Sequence, residues 1–154
     1  MLFLLEVTLS NYTANYTTKP IRVGPLQFGG KDFLVIAGPC SIESEEQFTK
    51  TGESIRKSGG HMLRGGIFKM RTDPASFQGM GADAYQVAKK VREVTGMPFI
   101  SEVTDPRQIS DLVEVVDAFQ VGSRNMYNYS LLKELGRQSK PVMIKRGLSA
   151  MIKE

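Results

Sequence analysis

The sequence predicts an alternating α/β fold built on a parallel sheet, and three observations carry that prediction. Five short apolar runs recur along the 154 residues, near 33–37, 61–64, 98–103, 118–121 and 141–145. Stretches with helical spacing and clear end signals lie between them. Strands joined through helices need crossover connections, and crossovers make neighbouring strands parallel. A doubly wound sheet and a (β/α) barrel both satisfy this pattern.

The elements follow in order. Residues 1–31 differ from the rest, with the polar near-repeat NYTANYTT followed by KPIRVGPLQFGGK. Ile21-Arg22-Val23 and Leu26-Gln27-Phe28 each alternate around Gly24-Pro25, which predicts a small β-hairpin. The run Phe33-Leu34-Val35-Ile36-Ala37 reads as a strand buried on both faces. Ser44, with Gln47 three residues on, forms a capping box for a helix that Gly59 can end. His61-Met62-Leu63-Arg64 is a second strand. Ala84, Val87, Ala88, Val91 and Val94 form a helical stripe over 82–95, stopped by Gly96. Pro98–Val103 is a third strand. Asp105-Pro106, closed by Gln108, opens another helix. Ala118-Phe119-Gln120-Val121 is a fourth strand. Asn128 caps a helix through Leu131, Leu132 and Leu135, ended by Gly136, and Pro141–Lys145 is a fifth strand. Ser149 is placed to cap one more helix. The expected organisation is an N-terminal extension and hairpin over 1–31 and a βα region over 32–154.

Composition narrows the function classes. Hydrophobic residues make up 41% and charged residues 23%, as in globular proteins. Twenty Lys+Arg against sixteen Asp+Glu give a net charge of +4, with no basic run of five, so no nucleic acid is expected as partner. One cysteine excludes a disulfide scaffold, and one histidine leaves too few ligands for a zinc finger. No apolar run approaches ~18 residues, so no membrane span is expected. The opening MLFLL lacks a basic lead and a cleavage pattern, which points to the cytoplasm. The N-x-S/T triplets at Asn11, Asn15 and Asn128 are then chance occurrences.

The chemistry-bearing residues cluster where apolar runs end. Cys40 and Ser41 follow the first run. Arg64, Lys69 and Arg71 follow the second, Glu102 ends the third, Arg124 follows the fourth, and Lys145 and Arg146 end the fifth. In a parallel α/β fold these ends share one face, where ligands bind. Several cations around one carboxylate and one thiol repel one another unless the ligand carries multiple negative charges, such as phosphate with carboxylate. Neither GxGxxG nor GxxxxGK[ST] occurs, and Pro39 after Gly38 removes an N–H that a phosphate loop would offer. Plainer readings exist for single residues. Cys40 can be a small buried hydrophobe, Glu102 a surface carboxylate, Lys145-Arg146 a solvated loop. His61 starts its strand, at the end away from the site, and reads as structural.

Seven motifs occur in order: AGPCS at 37–41, LRGG at 63–66, FK-x-RT at 68–72, SFQG at 76–79, SEV at 101–103, VGSRN at 121–125 and KPVMIKRG at 140–147. Together they resemble the 3-deoxy-D-arabino-heptulosonate 7-phosphate (DAHP) synthases, in the short bacterial and archaeal type, over about residues 21–154. The resemblance implies a (β/α) barrel of TIM type, of which about five of eight βα units lie in this chain, preceded by the hairpin. It implies condensation of phosphoenolpyruvate with erythrose 4-phosphate, the first step of the shikimate pathway to aromatic amino acids. Carried over by motif, Cys40 is a ligand of a divalent metal of Mn, Fe, Co or Zn type. Lys69 and Glu102 are catalytic. Arg64, Lys69, Arg124 and Lys145 bind phosphoenolpyruvate, Arg71 and Thr72 grip erythrose 4-phosphate, Lys69 reaches both, and Ser123 is a further substrate-binding residue. The related 3-deoxy-octulosonate 8-phosphate synthases share the GPCS start but carry Lys-Ala-Asn where this chain has Lys69-Met70-Arg71. A non-catalytic phosphate-binding fragment is the other alternative.

The chain departs from the family pattern in three places. Met70 replaces the proline that stiffens the Lys-Pro-Arg-Thr loop. Ser123 stands where alanine is common. The His, Glu and Asp that complete the family's metal site belong to later strands, and an eight-stranded barrel needs ~250 residues. The expectation is a truncated chain, inactive alone, with a homo-oligomer formed by the full-length enzyme.

Overall fold

The structure is a computed structural model that describes residues 19–70, 73 and 75–151. The polar near-repeat and Ser149's neighbours beyond 151 lie outside the described residues. Strands β1 (Ile21–Val23) and β2 (Leu26–Phe28) form the expected antiparallel hairpin, with Ile21 opposite Phe28. Gly24 supplies the turn with φ 55°, a value in the left-handed region that glycine adopts without Cβ strain.

Five further strands make one sheet: β3 (Ile36–Ala37), β4 (Met62–Arg64), β5 (Phe99–Glu102), β6 (Ala118–Val121) and β7 (Val142–Ile144). Their order is β3-β4-β5-β6-β7, and each neighbouring pair is parallel. Strand order that follows chain order throughout is that of a barrel wall. A doubly wound sheet reverses direction at a switch point, and no reversal occurs among these strands. The helices between them are α1 (Glu45–Lys57), α2 (Asp83–Thr95), α3 (Ile109–Leu112) and α4 (Tyr129–Leu135). None of the described helices is long and apolar enough to cross a membrane.

The end signals work as read, except that the Gln47 side chain accepts from the Glu43 N–H at 3.4 Å and so does not close its capping box on Ser44. The Ser44 hydroxyl accepts from the Gln47 N–H at 3.1 Å. Asp105 and Gln108 form a reciprocal capping box on the 3₁₀ turn Pro106–Gln108 that leads into α3. The Asn128 side chain accepts from the Leu131 N–H at 3.2 Å, which gives that asparagine a structural role.

Strand alternation divides the apolar residues between two cores. Leu63, Phe99, Phe119 and Val121 face the helices and pack with Phe48, Ala88, Val91, Leu112 and Leu131. Phe48 and Phe99 meet edge to face at 5.7 Å, a preferred aromatic geometry. On the other face Met62, Ile100 and Ala118 pack with Val23, and Leu26, Phe28, Ile36 and Met143 surround them. The hairpin therefore covers the N-terminal part of that face. His61 holds the same end together: the Val35 N–H donates to its Nδ1 at 3.0 Å, so its role is structural as read.

Three expectations need correction. The first strand is two residues long, and Phe33 is 62% exposed rather than buried. β3 is an edge strand that pairs with β4 alone among the described residues, and these leave the start of its run open to solvent. Val94 is 54% exposed, while Thr95 is buried in its place, its hydroxyl bonded to the Val91 carbonyl at 2.7 Å. Ser149 begins no helix among the described residues, where 148–149 form a turn.

Candidate functional site

The inner face of the sheet carries two layers. Met62, Ile100, Ala118 and Met143 make the apolar layer beside the hairpin. Two residues further along each strand, the same alternation places Arg64, Glu102 and Gln120 above them. A period of two alone thus lifts a guanidinium, a carboxylate and an amide to the C-terminal end of the sheet.

These three groups are connected. Arg64 Nε donates to Gln120 Oε1, and Gln120 Nε2 donates to Glu102 Oε2, both at 3.4 Å. Arg64 Nη1 also reaches the Pro39 carbonyl at 3.5 Å. Glu102 folds over Gly122: a Cβ there would stand 2.1 Å from Glu102 Oε1. Gly38 is needed for the first loop. It has φ 149°, and a Cβ would come within 1.8 Å of the Arg64 carbonyl oxygen. The two glycines after Arg64 also permit close approach, but to protein. Gly65 lies against the Phe48 ring and Gly66 against the Cys40 carbonyl.

Cys40 is exposed in the loop after β3, not a buried hydrophobe. Its thiol contacts the Lys69 ammonium. Partial burial pushes the thiol up, but the Lys69 and Arg64 cations together outweigh it and hold Cys40 below the ordinary cysteine range. Lys69 is seated by its backbone, whose N–H donates to the Gln78 carbonyl at 2.8 Å. That bond closes the loop bearing FK-x-RT and SFQG, and Asp73 ties its tip by accepting from Ala75 N–H and Ser76 Oγ. Arg124 Nη2 donates to the Met70 carbonyl at 3.0 Å, so the loop lacking the family's proline is held from β6. Ile67 N–H donates to the buried Ser101 hydroxyl at 3.2 Å, anchoring the loop's start to β5.

Cys40, Arg64, Lys69 and Glu102 are therefore brought into one network, and Arg124 joins it through Met70. Ser123 opens the 3₁₀ turn Ser123–Asn125 just past β6. Lys145 follows β7, its N–H bonded to the Val121 carbonyl at 2.9 Å. Arg71 and Thr72 lie outside the described residues. Gln120 and Ser101 were not singled out from sequence. The available signal was a polar residue inside an apolar run, on the same strand face as the neighbouring charged residue.

The expected metal does not fit the described residues by themselves. No three of His, Cys, Asp or Glu gather there. Two cations face the Cys40 sulfur, and His61 is committed to Val35. A cleft of about 480 Å³ opens elsewhere, between the hairpin turn at Gly24-Pro25 and the region of Arg92, Pro98 and Asp117. Pro98 precedes β5 and Asp117 precedes β6, so this cleft lies at the opposite strand ends from the network.

The DAHP synthetase I family model matches residues 14–154. A phospho-2-dehydro-3-deoxyheptonate aldolase from Thermotoga maritima is 36% identical over 134 residues, which is 87% of this chain and 40% of the relative. A 2-dehydro-3-deoxyphosphooctonate aldolase from Geobacter sulfurreducens is 30% identical over 138 residues, 84% of this chain and 51% of the relative. The crystal structure of the Thermotoga maritima DAHP synthase superposes with a TM-score of 0.81 at 35% identity, covering 87% of this chain and 39% of that one. A truncated form of the 3-deoxy-D-arabino-heptulosonate 7-phosphate synthase from the same organism gives 0.77 at 31% identity, over 88% and 48%. The chain thus spans about half or less of the length of these relatives, and its five-stranded sheet is part of their α/β barrel. With that barrel segment, its N-terminal hairpin and the family match, the chain belongs to the DAHP synthetase I family.

Proposed function

We propose that this chain carries the phosphoenolpyruvate-binding part of an enzyme that condenses phosphoenolpyruvate with erythrose 4-phosphate. The products are 3-deoxy-D-arabino-heptulosonate 7-phosphate and phosphate, in the cytoplasmic route to aromatic amino acids. The observation that carries this reading is the linked set of Arg64, Gln120 and Glu102 at the C-terminal strand ends, with Lys69 in the next loop on the Cys40 thiol. Arg64, Lys69, Arg124 and Lys145 hold the carboxylate and phosphate of phosphoenolpyruvate, because guanidinium forks and ammonium groups match both anions, and Ser123 is a further substrate contact next to Arg124. Arg71 and Thr72 hold the aldehyde substrate, with Lys69 between the two.

In the reaction the enol carbon attacks the aldehyde carbon and a C–C bond forms. Water then adds to the carbon bearing phosphate, and the C–O bond to phosphate breaks. In this reading Glu102 takes the proton of that water. The family resemblance implies a divalent metal that polarises the aldehyde. The described residues offer it one donor, Cys40, and no metal step follows from them.

The octulosonate reading has the Geobacter relative in its favour. Met70-Arg71 in place of Ala-Asn supports the heptulosonate reading instead. The full-length enzyme is proposed to be a homo-oligomer, and this chain alone to bind without turning over. The test is the purified chain with both substrates and Mn²⁺, assayed for phosphate and heptulosonate. No turnover is expected. A rate within about tenfold of a typical ~10 s⁻¹ would overturn the inactivity of the chain alone. Heptulosonate formed by a longer form of the chain would support the substrate assignment, and octulosonate instead would overturn it.

A further inference from the structure

We propose that Gln120 is a positioning residue that keeps Arg64 and Glu102 from pairing with each other, so that the guanidinium stays available to an incoming anion. The proposal rests on the phosphoenolpyruvate reading of this site and deepens it. Arg64 lies opposite Ile100 in the β4–β5 register. Glu102 is two residues further along the same face, which makes it the diagonal neighbour of Arg64. Backbones at that spacing are ~7–8 Å apart, a distance that long side chains span easily. A direct Arg64–Glu102 ion pair is thus the simplest outcome for these two residues, yet none of the ion pairs among the described residues joins them.

Instead Arg64 reaches across β5 to Gln120 on β6, and Gln120 reaches back to Glu102. Gln120 is the residue opposite Glu102 in the β5–β6 register and is 2% exposed. A buried amide needs partners for both of its ends, and here it finds two of opposite charge. Its carbonyl faces the cation and its NH₂ faces the carboxylate, the orientation that the two charges favour. Both contacts are long, at 3.4 Å, so the amide tethers each head group without using up its other donors or acceptors. An apolar residue would take the amide from both head groups, leaving Arg64 only its contacts with the Pro39 carbonyl and the Cys40 thiol. A shorter residue would let them collapse into a pair that cancels the positive charge meant for the ligand.

Isothermal titration of the purified chain with phosphoenolpyruvate tests this. Gln120→Ala is expected to weaken binding at least about tenfold, because Arg64 and Glu102 then pair directly. Adding Glu102→Gln removes the competing carboxylate, and binding is expected to return to within about threefold of Glu102→Gln alone. Gln120→Met keeps the side-chain volume while deleting both tethers, and is expected to weaken binding at least about threefold with an unchanged circular dichroism spectrum. Unchanged binding in the Ala and Met variants overturns the proposal. So does an equal loss from Gln120→Ala with and without Glu102→Gln, the outcome of a purely structural role. Absence of binding by the unsubstituted chain overturns the phosphoenolpyruvate reading, and this proposal with it.

Discussion

Two glycines of the site show how differently one added methyl group acts. At Gly38 the backbone already sits at φ 149°, and a Cβ would meet the Arg64 carbonyl oxygen at 1.8 Å. Neither backbone can yield without opening the β3–β4 pair. Gly38→Ala is expected to cost more than about 3 kcal/mol, seen as loss of the cooperative urea transition. At Gly122 the obstructing atom is Glu102 Oε1, the far end of a flexible side chain. Gly122→Ala is expected to shift Tm by no more than about 4 °C, roughly the effect of 1 kcal/mol, yet to displace the carboxylate. Phosphoenolpyruvate affinity should then change at least about threefold by titration calorimetry. Unchanged affinity would show that the position of Glu102 is not coupled to the anion site. Asp105 offers a check away from the site. Hydrogen bonds from Arg107 hold its carboxyl down to about 2. The cap is therefore present above the usual carboxylate range and lost only as pH falls through about 2, which carboxyl NMR titration reads directly.

Elements with local end signals were legible in the sequence. Ser44, Asp105 and Asn128 cap through bonds that span two or three residues, so short-range pattern suffices. What required the third dimension was which residues the sheet leaves uncovered. The apolar run 33–37 reads as doubly buried, but β3 is an edge and Phe33 faces solvent. On α2 the helical stripe includes Val94, while packing turns Thr95 inward beside Gly52 of α1. Gln120 also escaped notice, because its importance lies in its neighbours on two other strands. His61, in contrast, was legible as structural from its place at a strand start. His61→Ala would leave the Val35 N–H without its acceptor, at a cost of about 1–3 kcal/mol, nearer the lower figure because this edge is partly solvated. The urea midpoint should fall with the slope unchanged. An unaltered midpoint would remove His61 from the account of how β3 is held.

At the scale of the whole molecule, the sheet separates support from chemistry. The hairpin and the apolar layer fill the N-terminal part of the inner face, and charged groups fill the C-terminal part. Arg64, Lys69 and Glu102 were legible as neighbours because strand ends in a parallel fold lie on one face, while the ligand is what the ordered motifs imply by resemblance. Among the described residues both sheet edges remain open, and Ile144 on β7 is 51% exposed. Open apolar edges pair with other chains, so the purified chain should run above its 17.1 kDa monomer mass in light scattering as concentration rises. A constant monomer mass would contradict that. The central claim is that the cations at these strand ends form one site for phosphoenolpyruvate. A crystal structure of the chain grown with phosphoenolpyruvate tests it most directly. The account predicts the ligand at the C-terminal strand ends, with its carboxylate and phosphate oxygens within hydrogen-bond distance of Arg64, Lys69, Arg124 and Lys145. Head groups pointing to opposite sides of the sheet, or ligand bound only in the cleft beside Arg92, would contradict it.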